Sequence, residues 1–320
     1  MSVTDIGANF SGLIASLTLR ALSPHSRLNW IYLLSALVMA LYACRTYRGL
    51  GEKRTLRQIL FPRSVWLHSS ALTDYRFVAV TLPVWTLWAA PNLLSANRVS
   101  QHTLAALTNW LGPIAQSAMP TAAVGLLYTV AQVAASDFAR YWSHRMMHRV
   151  PVLWEFHKVH HSAEVLTPIS LYRSHPLDTL LTELAEVVVV GIVSAIFLYL
   201  FPQGLTLVTI LGVNAFRFAF NFFGANLRHS HIWFSFGSAA EHFIISPAQH
   251  QIHHSADPRH FNRNFGSEFA VWDWIFGTLY IPRQREDLIL GLGAAENRRL
   301  GSTWEMLINP LRAMRRHAYL

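Results

Sequence analysis

Long apolar runs alternate with short, arginine-rich polar loops along most of this chain. Five runs are long enough for a helix to cross a hydrocarbon core: residues 28–44, 77–94, 121–142, 180–201 and 205–223. A further stretch, 103–119, is apolar but broken by Gly112 and Pro113, and reads as an interfacial or re-entrant piece. From about residue 226 onward the pattern turns polar enough for a cap outside the bilayer. Its Trp272, Trp274, Phe276 and Tyr280 are suited to the headgroup layer. The predicted fold class is all-α, a multi-span membrane helical bundle with a helical or irregular cytoplasmic cap.

Composition agrees with a bundle. Hydrophobic residues make up 52% of the 320 and charged residues 13%, roughly half the charged share of an ordinary soluble domain. The net charge of +9 does not point to nucleic acid, because the basic residues flank apolar runs and form no stripe interleaved with aromatics. Arg45, Arg48, Lys53, Arg54, Arg57 and Arg63 crowd the loop after the first run, which places that loop in the cytoplasm. The start of the chain reads as a poor cleavable signal, and 28–44 as an uncleaved anchor. The fourth and fifth runs, joined at Pro202-Gln203-Gly204, are expected to form an out-and-back hairpin. Motifs on either side of it then share one membrane face. Cys44 is the single cysteine, so neither an intrachain disulfide nor a thiolate metal site is available.

Histidine changes the picture most. Of 17 histidines, 13 lie between His144 and His260. His144 and His148 are one helical turn apart at the end of the third run, with Asp137 and Tyr141 on the same face. His157, His160 and His161 follow, and His250, His253 and His254 repeat that spacing. On a helix, three such imidazoles can converge. One ion cannot hold eight imidazoles, so two ions are implied, and neutral imidazole suits iron, zinc, copper or nickel. Asp137, Glu155, Glu164, Asp257 and Asp273 are available to orient ring N–H groups. His229 and His231 follow the fifth run directly, and either completes the set. His175 reads as a residue supporting the ligands, His260 as a packing or loop-capping residue, and His242 as a minor candidate. His25, His68, His102 and His317 read as ordinary exposed or interfacial side chains. Glu183, Glu186 and Arg217 sit inside apolar runs and require partners, either within the bundle or as a polar gate beside a substrate cavity.

In order along the chain come Asp137 to His148, Trp154 to Glu164, Arg173 to Pro176, His229, and Ser246-Pro247 to His254. Asn264-Phe265-Gly266 and Trp272 to Leu279 close the series. This series resembles the fatty acid hydroxylase/sterol desaturase superfamily over about residues 135–282, nearest the branch that contains alkylglycerol monooxygenase. The resemblance implies an N-terminal membrane anchor region (1–120), a catalytic domain (121–282) and a C-terminal cytoplasmic tail (283–320). It implies a cytosolic non-haem di-iron centre with dioxygen as co-substrate. His144, His148, His157, His160, His161, His250, His253 and His254 are then ligands and the catalytic set. His229 is preferred to His231 as the isolated ninth ligand. Fatty acid 2-hydroxylases carry a further histidine where this chain has Ala225, which implies nine ligands rather than ten and argues against that activity.

Unactivated C–H bonds resist acid–base attack, so redox-active ions and dioxygen are required, which redox-silent zinc would not provide. The choice of iron rests on the resemblance. With no fused cytochrome b5 region, and no glycine-rich nucleotide motif, electrons are expected from a separate cytochrome b5-, ferredoxin- or flavodoxin-type carrier and its reductase. The expected location is a bacterial inner membrane, hinted at by the excess of arginine over lysine, or the endoplasmic reticulum of a eukaryote. A zinc-dependent membrane hydrolase and a histidine-rich metal transporter are the competing classes. Hydroxylation, desaturation and ether cleavage begin with the same hydrogen abstraction, which leaves the reaction outcome and the lipid open.

Overall fold

Asn29 starts the first long helix: its side chain accepts the Ile31 N–H at 3.0 Å, and the apolar run behind it folds as α1 (Trp30–Gly49). The computed structural model describes residues 18–49, 51, 53–85, 94–114 and 117–317. Side-chain caps begin the next two long helices. His68 caps α2 (Ser69–Val84) and Ser95 caps α3 (Ala96–Leu111). Helix α4 (Thr121–Arg149) has 29 residues, a length of about 44 Å. That is long enough to cross a hydrocarbon core of roughly 30 Å. Pro151 cannot continue α4, because it lacks an N–H and restricts Val150. It opens α5 (Pro151–His161) instead.

His175 caps α6 (Pro176–Leu200), which packs along α3 and α4. A two-stranded hairpin, β1 (Thr209–Ile210) and β2 (Val213–Asn214), leads into α7 (Ala215–Phe222). In the cap, Ser246 and Gln249 form a reciprocal capping box that starts the short α8 (Pro247–His253). The C-terminal α9 (Thr303–His317) packs against α5 and α2, with Phe77, Val159, Leu300 and Met306 buried together. A buried ion pair braces the same junction. Arg173 meets Asp74 at 2.6 Å and donates to the Val159 carbonyl and the Ser162 hydroxyl, where α5 ends.

Among the described residues, three helices are long and apolar enough to cross a membrane: Trp30–Tyr47, Thr121–Arg149 and Pro176–Leu200. They agree with the first, third and fourth predicted spans. The second, 77–94, is helical to Val84, and residues 86–93 lie outside the described residues. The first part of the stretch 103–119 belongs to a helix that begins earlier, at Ala96, and ends at Leu111, where Gly112 takes φ +76°.

The fifth span is a correction, because 205–223 is not one helix. Leu205 to Ile210 is rich in β-branched residues, which favour extended backbone. Leu211 and Gly212 turn the chain at φ +50° and +79°, and the Asn214 side chain caps an eight-residue α7. Helix α4 supplies the missing partners: Thr129 Oγ1 accepts the Val208 N–H at 2.9 Å, and the Thr129 carbonyl accepts from Asn214 Nδ2 at 3.0 Å. Irregular backbone persists at membrane depth only against such protein partners. The segment still runs back along α4, from the contact of Thr206 with Gly125 to that of Arg217 with Ser136.

Candidate metal centre

Nine histidines converge in two groups. His144, His148, His157, His161 and His253 form one; His160, His229, His250 and His254 form the other. Within each group the potential ligand atoms lie within 4.8 Å of one another. Each triplet is divided between the groups. Helix α5 sends His157 and His161 to the first and His160 to the second. The end of α8 sends His250 and His254 to the second and His253 to the first. Helical geometry explains the division. Residues advance about 100° each, so i and i+4 lie about 40° apart, whereas i+3 falls about 60° to the other side. Three histidines of a triplet therefore do not converge on one point. His144 and His148, an i and i+4 pair on α4, join the first group.

Four of the outer ring nitrogens are held, whereas Nδ1 of His229 and of His250 is buried with no partner among the described residues. His157 Nδ1 donates to Asp178 Oδ2 at 2.8 Å. His144, His160 and His253 direct Nδ1 to the carbonyls of Phe265, Arg173 and Arg263 at 2.9, 3.3 and 2.8 Å. Carbonyl and carboxylate oxygens only accept, so these Nδ1 atoms carry the hydrogen and Nε2 presents its lone pair inward.

The inward nitrogens cannot be satisfied by one another. His229 Nε2 lies 3.1 Å from His160 Nε2, 3.1 Å from His250 Nε2 and 3.2 Å from His254 Nε2. A neutral imidazole has one N–H, so at most a fraction of these contacts are hydrogen bonds. His148 Nε2 and His253 Nε2 are buried with no partner among the described residues. A cation between the lone pairs relieves both problems, so the donor set fits metal ions. Burial pushes the His160 and His253 imidazoles down to about 3. It also moves His161, His229, His250 and His254 well below the ordinary value, which keeps them in the neutral, ligating form.

Of the carboxylates expected to orient the rings, none touches a histidine of the two groups. Asp137 accepts the Glu268 and Phe269 N–H groups and the Trp272 indole N–H. Asp273, pushed up to about 6 by burial, accepts from the Phe265 and Gly266 N–H groups and the Thr278 hydroxyl. Both therefore shape the loop whose Phe265 carbonyl receives His144. A Cβ at Gly266 would overlap the Phe269 carbonyl oxygen, so the loop requires glycine there. Glu155 pairs with Lys158, Glu164 with Asn297 and Asp257 with Arg259. Tyr141, on the α4 face shared with His144, hydrogen-bonds Thr278 at 3.0 Å.

Sequence reasoning missed Asp178, the carboxylate that does meet a ring nitrogen. Its one sequence signal is an acid in the first turn of an apolar helix, three residues after His175. His175 itself accepts the Leu177 N–H and reaches the Leu307 carbonyl, so it ties α6 to α9. His231 points away from the groups, to the Ile59 carbonyl at 2.8 Å. His242 bonds the Ser238 carbonyl, and His260 lies 3.1 Å from Glu286. Ala225 is buried and offers no ligand atom.

A cavity of about 880 Å³ opens on both groups, with His144, His157, His160, His229 and His250 in its wall. A second, of about 480 Å³, meets His148, His161, His253 and His254 from another side. Partners for Arg217 are now visible. It pairs with Glu186 at 3.0 Å and Glu268 at 2.9 Å, and Glu186 also holds Arg140 at 2.6 Å. Arg217, Arg140, Glu183 and Glu268 line the larger cavity.

Fold and site define a helical membrane protein with buried histidine clusters able to hold metal. Residues 129–278 match the model of the fatty acid hydroxylase family. An alkylglycerol monooxygenase of Xenopus tropicalis is 27% identical over 156 residues, covering 49% of this chain and 31% of that protein. An ornithine lipid hydroxylase of Rhizobium tropici is 29% identical over 157 residues, 49% of this chain and 43% of that protein. A probable Delta(7)-sterol 5(6)-desaturase of Neurospora crassa is 24% identical over 286 residues, 88% of this chain and 70% of that protein. The chain thus spans about a third of the alkylglycerol monooxygenase it matches. No solved structure matches it.

Proposed function

We propose that this protein is an integral-membrane, O2-dependent non-haem di-iron oxidoreductase that hydroxylates or desaturates a lipid C–H bond. One observation carries the reading: two adjacent, largely buried, all-imidazole groups, of five and four histidines, border a cavity whose wall runs on to Val80, Leu82, Val84 and Leu180. His144, His148, His157, His161 and His253 would hold one ion, and His160, His229, His250 and His254 the other. When bound, two reduced irons supply the electrons that activate dioxygen for attack on the C–H bond. The protein residues do the rest. Three carbonyls and Asp178 fix the orientations of four of the rings, burial keeps the imidazoles neutral and excludes bulk water, and the cavity positions the lipid.

Anaerobic purification with metal analysis, then lipid mass spectrometry, tests this. About two irons per chain are expected. A lipid should gain one oxygen or lose two hydrogens only when a reductase and a small electron carrier are supplied. Zinc alone with lipid hydrolysis would overturn the reading, and turnover with NAD(P)H and no carrier would overturn the electron route.

Asp178 gives a narrower check. Asp178→Ala removes the acceptor that sets the His157 tautomer, so metal affinity should fall by about 10–100-fold while the helical bundle persists. Metal titration of variant and parent measures this. Unchanged affinity would remove Asp178 from the metal site.

A further inference from the structure

The larger cavity also carries charged groups that do not belong to the histidine clusters. Arg20, Arg27, Arg140, Arg217 and Arg228 line it, against the carboxylates of Asp178, Glu183 and Glu268. Asp178 is committed to His157, Arg217 to Glu186 and Glu268, and Arg140 to Glu186. Arg27 and Arg228 are left with no carboxylate partner among the described residues. Arg228 is 3% exposed; it donates from Nη1 to the Ser267 carbonyl and lies over the Phe220 ring, yet its Nε is buried without a partner. Arg27 Nη1 is likewise buried and unpartnered. Asn226 donates to the Arg27 carbonyl at 2.9 Å and so fixes this turn beside the 225–229 segment. Burial and the neighbouring Arg140 push Arg27 down to about 10, as expected for a cation short of counter-charge.

We propose that the cavity takes its lipid by an anionic headgroup, a phosphate or a carboxylate, held between Arg27 and Arg228, with the hydrocarbon running out past Val80 and Val84. This rests on the lipid-oxidation reading above and names the substrate class for it. A neutral sterol would leave two buried guanidinium groups with no ion-pair partner among the described residues, only the longer-range pull of Glu268 and, on Arg228, Asp137, a costly arrangement for a buried charge. An oxyanion meets the planar guanidinium fork with paired charge-assisted hydrogen bonds. Glu268 is neutralised by Arg217, and its second oxygen, Oε2, has no donor. The same pocket therefore accepts one hydroxyl or ammonium hydrogen of the headgroup. Val80 and Val84 are half exposed, which suits an outlet toward lipid. Arg228 directly precedes His229, so a headgroup on Arg228 sets the first few chain carbons against the histidines. Oxidation is then expected near the polar end of the lipid.

Native mass spectrometry of the purified full chain in detergent tests the site without turnover. The probes are dioleoylphosphatidylglycerol for phosphate, oleoylglycine for carboxylate and dioleoylglycerol as the neutral control. At least one anionic probe should bind about tenfold or more tightly than the control. Arg27→Gln and Arg228→Gln should each reduce that preference about tenfold, the scale of a lost charged hydrogen bond. Arg259→Gln, at an exposed pair with Asp257, should leave it unchanged. Preference for one anionic probe assigns the headgroup chemistry. Equal binding of dioleoylglycerol, or a preference that survives both cavity variants, would overturn the proposal. If Arg228→Gln does not fold, Arg27→Gln, in a turn outside the long helices, decides alone. A parent chain that keeps the preference but oxidises no lipid would sink the oxidation reading and leave the headgroup site standing. Equal oxidation of neutral and anionic lipids would do the reverse.

Discussion

Alanine at His160 or at His253 is expected to abolish lipid oxidation, with a loss of at least about 100-fold, the upper range seen when merely the residues supporting metal ligands are removed. These two histidines are the middle members of their triplets, and each serves the group opposite to its neighbours. His160→Ala leaves the group of four with three imidazoles, and His253→Ala leaves the group of five with four. The larger drop in bound metal is therefore expected for His160→Ala. Folding should survive, because the spans are held by packing and internal backbone hydrogen bonds rather than by metal. Metal analysis, turnover and thermal melting on the same preparations separate these effects. Full activity in either variant would remove the two-ion site.

His229→Ala and His231→Ala should differ sharply, although the residues are two apart. His229 Nε2 faces His160, His250 and His254 at 3.1 to 3.2 Å and is the one member of its group that belongs to neither triplet. Its loss should lower bound iron and reduce activity by roughly 100-fold or more. His231 instead bonds the Ile59 carbonyl, so His231→Ala should cost about 1 kcal/mol of stability and retain most of the activity and metal. Iron content and turnover decide between them. The reverse pattern would move the ligand to His231, and full iron in both variants would reduce the site to eight histidines.

The periodic parts of this protein were legible in its sequence. Three membrane helices could be read because an apolar run of such length has few alternatives in lipid. Eight of the nine clustered histidines could be named because side-chain spacing on a helix is a local property, fixed by 3.6 residues per turn. The preference for His229 over His231 came from the family pattern and not from spacing, which left the two equivalent.

What lay beyond the sequence depends on where separate segments cross. Hydropathy cannot distinguish a helix from an extended return when Thr129 of a neighbouring helix stands ready to satisfy the backbone, so it predicts a span over 205–223 where the chain forms a hairpin and a short helix. The same holds for the rings' supports. Asp178 and the carbonyls of Phe265, Arg173 and Arg263 are between 10 and 121 residues from the histidines they meet. The arginine-lined cavity is likewise a product of segments remote in sequence, from Arg20 to Leu307. Sequence alone determined which side chains could bind metal, because side-chain chemistry and helical period are local. Tertiary structure alone decided how they divide between two groups and what charge lines the cavity beside them, because both depend on distances that only packing sets.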